Sequence, residues 1–275
     1  MEKITCEICP HHCRLAVGEV GKCRARINDG KKITALNYGA ITSAALDPIE
    51  KKPLYKFFPG SRILSVGSYG CNLNCPFCQN HEISMADSTF PTRQITPEQL
   101  VALAAELVPQ KNIGVAFTYN EPFISYEFVR DTSNLLKAVG LKSVLVTNGT
   151  VAPAALKKIL PLIDAMNIDL KGFSQEIYSK LGGDFETVRR TIELAAQSCH
   201  VEVTTLIVPT MNDSPDDMIR EAEWIASISK DIPLHISRFF PRYKVTNLPP
   251  TPVKKIYELV NVAKRHLNFV FAGNC

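Results

Sequence analysis

From about residue 61 the chain alternates short apolar runs with longer stretches of helical periodicity. Ile63–Ser68, Ile113–Thr118, Ser143–Thr147, Ala165–Leu170, Val201–Val208 and Leu234–Phe239 have the length and composition of strands. Helical patterns lie between them: Thr96 onward through Leu100, Leu103 and Leu107, then Phe123–Val139, Pro153–Leu160, Phe185–Ser198, Ser214–Ser229 and Thr251–His266. Asn268–Phe271 is a candidate final strand. Thr96-Pro97-Glu98-Gln99 carries the marks of a helix start, with Thr as N-cap, Pro in the first turn and Gln three residues on. This rhythm predicts a parallel sheet with helices outside it. Six units are too few for a closed eight-fold barrel. The expected fold class is therefore α/β, a partial, open (β/α)6 barrel of TIM type, with a doubly wound open sheet as the alternative. A small N-terminal Cys-rich metal-knuckle lobe (1–60) is expected to precede the barrel (61–275). Within it, Ile33–Ile41 shows short β-like alternation, and Asp47–Tyr55, with two prolines and dense charge, reads as a solvated loop at the barrel rim.

Candidate chemistry sits at the ends of the apolar runs. Directly after the first strand comes Gly70-Cys71-Asn72-Leu73-Asn74-Cys75-Pro76-Phe77-Cys78-Gln79-Asn80. Three thiolates at this spacing can hold one face of an Fe–S cluster, and a cubane normally takes four. Three would leave one iron open to a substrate or cofactor. A Cys3His zinc knuckle completed by His81 is the alternative. Cys6, Cys9, Cys13 and Cys23 form a second group whose spacing is that of a metal knuckle, with Gly18 and Gly21 letting the chain bend back. Zinc is the first reading there, a second Fe–S cluster the next, and four reduced thiols without metal the third. In a barrel the site lies at the carboxyl ends of the strands. The later strands end in Thr118-Tyr119-Asn120-Glu121, Thr147-Asn148-Gly149 and Asp169-Leu170-Lys171, which argues for a polar site at that rim. Glu202, His235 and Arg238 are expected on its substrate side.

Composition narrows the setting. Apolar content of 45% and charged content of 21% are ordinary for a globular protein. A net charge of +4 gives no case for nucleic acid. No apolar run approaches the roughly 20 residues of a membrane span. The first residues lack the apolar core of a signal peptide, so a cytoplasmic location is expected. Nine cysteines in such a chain suggest metal or catalysis. An oxygen-labile cluster would favour an anaerobic or well-reduced setting.

The CxxxCxxC motif, with an aromatic residue before its last cysteine, resembles the signature of the radical S-adenosylmethionine (SAM) superfamily. Residues 61–272 resemble the branch that holds the pyruvate formate-lyase activating enzymes. The whole chain is similar to the "AmmeMemoRadiSam system" radical SAM proteins. That likeness rests on Cys6-x2-Cys9-x3-Cys13 with Cys23-x-x-Arg26, and on Asp47-Pro48-Ile49-Glu50-Lys51-Lys52-Pro53-Leu54-Tyr55. It rests also on Cys75-Pro76-Phe77-Cys78-Gln79-Asn80, Thr118-Tyr119-Asn120-Glu121-Pro122 and His235-Ile236-Ser237-Arg238-Phe239-Phe240-Pro241. The resemblance implies a [4Fe-4S] cluster on Cys71, Cys75 and Cys78, whose open iron chelates SAM and cleaves it reductively to a 5'-deoxyadenosyl radical. It implies SAM contacts from Tyr119, Asn120 and Glu121 (methionine amine), Thr147 and Asn148 (ribose), Asp169 and Lys171, with Phe77 against the adenine. Tyr119 and Asn120 stand where the superfamily usually has two glycines, and Val146 where the activases typically have Asp. An external reductant of flavodoxin or ferredoxin type is implied, acting for an enzyme on a protein or small-molecule substrate. A glycyl-radical-enzyme activase and a non-catalytic Fe–S electron carrier are the alternative functions.

Overall fold

The computed structural model describes residues 3–275. The main sheet contains β1 (Ser43–Pro48), β2 (Arg62–Gly67), β3 (Asn112–Phe117), β4 (Lys142–Thr147), β5 (Ala165–Asp169), β6 (His200–Ile207), β7 (Leu234–Arg238) and β8 (Val270–Gly273), adjacent in chain order. β1 runs antiparallel to β2, and every later pair is parallel. Outside lie α1 (Pro97–Glu106), α2 (Tyr126–Ala138), α3 (Pro153–Ile159), α4 (Gln175–Leu181), α5 (Phe185–Ala196), α6 (Pro215–Ile228) and α7 (Val253–Ala263). The partial barrel thus has six strand–helix units, from β2 to α7, followed by a seventh parallel strand. Among the described residues no pairing joins β8 to β1, so the sheet stays open.

Both faces of the central strands are covered, which is why they read as unbroken apolar runs. Leu64, Val66, Val115, Phe117, Leu145, Met166, Ile168, Val203, Ile207, Leu234 and Ile236 face the helices in one large core. The expected capping box opens α1: Gln99 N donates to Thr96 Oγ1 at 3.3 Å and Thr96 N to Gln99 Oε1 at 2.9 Å. α4 was not expected from periodicity. It is started by the Ser174 side chain and ended by Gly182 at φ +75°, both placed where caps belong. The last strand lies slightly later than expected.

The inner face is closed from below by residues 49–57. Ile49, Leu54 and Phe57 pack there against Ile63, Ala116, Val144 and Ala165. At the start of β6, Glu202 accepts the N–H groups of Tyr55 (3.0 Å) and Lys56 (2.7 Å) and bonds to the imidazoles of His200 (2.9 Å) and His235 (2.6 Å). Asn167 Nδ2 donates to Pro53 O at 2.8 Å. The Tyr55 ring meets His235 edge-on, centroids 4.7 Å apart, and packs on Phe271 at 4.8 Å. Two expectations are corrected here. Asp47–Tyr55 is no solvated rim loop: β1 pairs along β2 and the residues after it plug the barrel. Glu202 and His235 are not substrate-side groups, because both sit near the amino ends of their strands, at the base.

The cysteine-bearing segment before β1 is built from short pieces. Ile4–Thr5 pairs antiparallel with Arg14–Leu15, and Arg26–Asn28 with Ile33–Ala35. Ala40–Ile41 pairs with Arg93–Gln94. The division expected at residue 60 therefore falls after a strand and a plug that belong to the barrel.

Candidate active site

The loop after β2 carries Cys71, Cys75 and Cys78 over the carboxyl end of the barrel. Its course depends on Gly70, at φ +84°, where a Cβ would lie 2.6 Å from Cys23 O. Four side chains staple the loop. Asn120 Oδ1 accepts from Ser68 N (2.9 Å), and its Nδ2 donates to the carbonyls of Tyr69 (3.2 Å) and Gly70 (3.1 Å). Arg24 Nη2 donates to Cys71 O (3.1 Å) and Ser84 O (2.9 Å). His11 Nε2 bonds to Asn72 O at 2.8 Å. Asn148 Nδ2 donates to Asn72 Oδ1 at 2.9 Å and reaches Cys71 Sγ at 3.6 Å.

The polar residues that end the strands fall into two groups. The first spends its atoms on the scaffold. Glu121 is buried and accepts from Thr147 Oγ1 (2.8 Å), Asn148 N (2.9 Å) and Phe123 N (3.0 Å). Tyr119, at φ +70°, turns its hydroxyl down to Asp47 Oδ2 at 2.9 Å, away from the cysteines. That carboxylate also takes Lys52 Nζ at 3.0 Å. The second group faces the thiols. Lys171 Nζ pairs with Asp169 Oδ2 at 2.7 Å, and both are only partly exposed. Their charges are felt at Cys75. Lys171 N is held by Tyr178 Oη (3.0 Å) and its carbonyl by Asn212 Nδ2 (3.2 Å). Phe77 is buried with Leu73, Cys75, Ile177, Leu181, Val208 and Phe239. Arg238 donates to Thr251 O at 2.7 Å and lies over the Phe240 ring.

Burial pushes the Cys71 thiol up and that of Cys75 up to about 11, in the latter case against the pull of Lys171. The Lys171 ammonium resists the burial that would lower it, because Asp169 and Cys75 hold it charged.

The Radical SAM superfamily matches residues 65–222. The chain belongs to the radical SAM superfamily. Over 99% of its length it is 40% identical to an uncharacterized protein of Methanocaldococcus jannaschii, MJ0808, covering 81% of that protein. It is 28% identical to the pyruvate formate-lyase 1-activating enzyme of Escherichia coli, over 60% of this chain and 69% of that one. Among solved structures, Streptococcus suis SuiB bound to S-adenosylmethionine superposes with a TM-score of 0.60 at 13% identity, over 78% of this chain and about half (52%) of that one. Membership in the radical SAM superfamily implies a [4Fe-4S] cluster and SAM.

The loop fits such a group. Its three thiols share one apolar cluster, Leu73 N donates to Cys71 Sγ at 3.4 Å, and a buried ammonium offsets negative charge beside Cys75 and Cys78. The zinc expected at Cys6, Cys9, Cys13 and Cys23 is without support. Among the described residues no three His, Cys, Asp or Glu side chains converge on a point for a single metal ion. Among the same residues no helix is long and apolar enough to cross a membrane.

Three contributors escaped the sequence reading. Asn72, inside the motif, also donates to Thr150 O at 2.6 Å. Arg24 and His11 come from the N-terminal segment, and nothing local to them marked a bond to the cysteine loop. Only their position beside the flagged cysteines could have drawn attention to them.

Proposed function

We propose that this chain is a radical SAM enzyme acting on a protein or small-molecule substrate, in the subgroup of the "AmmeMemoRadiSam system" proteins. The observation that carries the reading is the seating of three neighbouring thiols at the carboxyl mouth of a parallel half-barrel, with the partly exposed Asp169–Lys171 pair beside them. Cys71, Cys75 and Cys78 would hold the cluster. When bound with SAM, the group supplies one-electron reductive cleavage to a 5'-deoxyadenosyl radical, which takes hydrogen from the substrate.

The chain's own residues prepare this chemistry. Metal loading must displace thiol protons that burial holds in place, and Lys171 eases that step electrostatically. Asp169 offers an acceptor for an amine and Lys171 a donor for a carboxylate, the two charged ends of the amino-acid part of SAM. Asn148 is oriented by its backbone bond to Glu121. Asn120 fixes the peptides that lead into Cys71. Phe77 closes the floor beneath the cysteines and keeps water from that side. A reductant of flavodoxin or ferredoxin type is the expected electron source. The likeness to a pyruvate formate-lyase activating enzyme supports a second reading of the substrate, the backbone glycine of a large partner protein.

The test is anaerobic reconstitution with iron and sulfide, dithionite reduction and addition of SAM, followed by chromatography for 5'-deoxyadenosine. Wild type should produce it, and Cys75→Ala should lose both the product and about four Fe per chain. A fully loaded wild-type cluster that leaves SAM intact with any candidate substrate would point instead to an electron carrier.

A further inference from the structure

We infer that Arg24 is a positioning residue for the cluster: its guanidinium fixes the peptide of Cys71 and, standing there without a bonded carboxylate, makes a cluster on that loop easier to reduce. The inference rests on the radical SAM reading for the loop's occupant. Arg24 Nη2 donates to Cys71 O at 3.1 Å and Ser84 O at 2.9 Å, and reaches Met85 Sδ at 3.5 Å. Nη1 donates to Lys22 O at 3.3 Å. Every one of these partners is an uncharged carbonyl or thioether. Asp87 feels the charge, but it is exposed and its Oδ1 is taken by Thr89. On the Cys75 side, by contrast, Lys171 has the Asp169 carboxylate at 2.7 Å.

Arg24 stands there at a cost. Its φ of +65° lies in the left-handed region that side chains other than glycine rarely use, and its buried Nε has no acceptor. Such conformations persist only where the surroundings over-determine them. Here they do. Arg24 N donates to Gly21 O at 2.9 Å and Gly21 N to Arg26 O at 2.8 Å, closing the turn. Arg26, 3% exposed, forks onto Glu127 of α2 at 2.7 and 2.9 Å and donates to Ile124 O at 3.1 Å. Ala152 N, before α3, donates to Ile8 O at 2.8 Å, and Asn37 Nδ2 to Tyr69 O at 3.0 Å. The N-terminal segment is thus fastened to the barrel independently of the cysteine loop. From that frame Arg24 takes the carbonyl of Cys71 and His11 that of Asn72, two successive residues.

The electrostatic consequence follows from the sign of the charge. Groups outside the ligand shell orient the ligands, and the potential of an iron–sulfur cluster depends on net charge, hydrogen bonding and exposure around it. Reduction adds one negative charge to the cluster. A cation at the peptide of one ligand stabilises the reduced form more than the oxidised form. Because no carboxylate bonds to Arg24, little near it cancels that effect, and its contacts to three residues of the loop region keep it in place.

The experiment uses the full chain reconstituted anaerobically. Iron is counted per chain, and the EPR signal that Cys75→Ala abolishes is followed in a potentiometric titration with and without SAM. Arg24→Gln should bind the same iron, with its reduction equilibrium lowered about tenfold, a shift of about 59 mV for one electron. Arg24→Lys keeps the charge but not the fork, and should recover most of that shift. Arg24→Gln loaded with iron at the wild-type potential would overturn the inference. Equal displacement in Arg24→Gln and Arg24→Lys would overturn it too, because shape and not charge would then be what matters. If Arg24→Gln takes up no iron, loading of Arg24→Lys would support the inference, and failure of both to load would reduce Arg24 to a part of the fold and overturn it. The titration without SAM keeps this inference apart from the reading it rests on. A wild-type signal that SAM leaves unaltered would sink the radical SAM reading, while the Arg24 comparison would still decide the role of the guanidinium.

Discussion

Glu121 at the mouth of the barrel and Glu202 at its base are buried alike, 2% and 0% exposed, and each accepts two backbone N–H groups. Their acidities diverge. For Glu202, burial is outweighed by His200, His235 and the N–H groups of Lys56 and Tyr55, which hold the carboxyl down at about 2. For Glu121, burial prevails over Asn148, Phe123 and Thr147, with Asp169 adding repulsion, and the carboxyl is pushed up to about 7. The two imidazoles make the difference. The base is a lock that keeps its charge through the whole physiological range, whereas the mouth is clamped by a group that titrates within it.

The largest effect that could break this contrast is at the base. Glu202→Ala strips four donors of their acceptor, and unfolding in urea should show a loss of about 3–5 kcal/mol. A loss under about 1 kcal/mol would mean that the apolar plug holds without the carboxylate. Next comes the pH response of the metal-free protein. The stability contributed by Glu202 is present above its unfolded range and lost as pH falls through about 2. That tied to Glu121 is present at low pH and lost as pH rises through about 7. Between pH 5 and 8, wild type should therefore weaken relative to Glu121→Gln by about 2–3 kcal/mol. Parallel curves would remove the contrast. The smallest effect is at the loop: Asn120→Ala removes the three hydrogen bonds that its side chain makes to residues 68–70 and should cost about 1–2 kcal/mol. Its iron content after reconstitution should fall by more than that of any base variant with equal loss of stability. Equal iron in both would show that Asn120 supports the fold and not the loop.

Most of the architecture was legible because each strand–helix unit is locally consistent, in apolar period, in caps and in turn chemistry. The three-cysteine motif was legible for another reason: its ligands are neighbours in sequence. The plug was not, since Lys51, Lys52 and two prolines masked Ile49, Leu54 and Phe57, and only tertiary packing reveals which residues turn inward. Glu202 and His235 were misplaced by one coordinate. Their alternation correctly marked them as inward-facing, but each lies at the start of its apolar run, and height along a strand separates base from mouth. Glu121 and Thr147 carried the right residue types for a ligand site, and no sequence pattern shows that they bond to one another.

The plug has a consequence for how this barrel can be inherited or moved. The superfamily match begins at residue 65, after β1 and the segment that floors the barrel. A fragment cut at that boundary would open Ala116, Val144 and Ala165 to water and leave Glu202 without the N–H groups of Tyr55 and Lys56. Since among the described residues no hydrogen bonds join the sheet edges, the same segment, through Tyr55 on Phe271, spans from one free margin toward the other like a keystone. The transplantable unit is the half-barrel together with residues 43–57, and graft or chimera boundaries drawn by family homology alone would sever it.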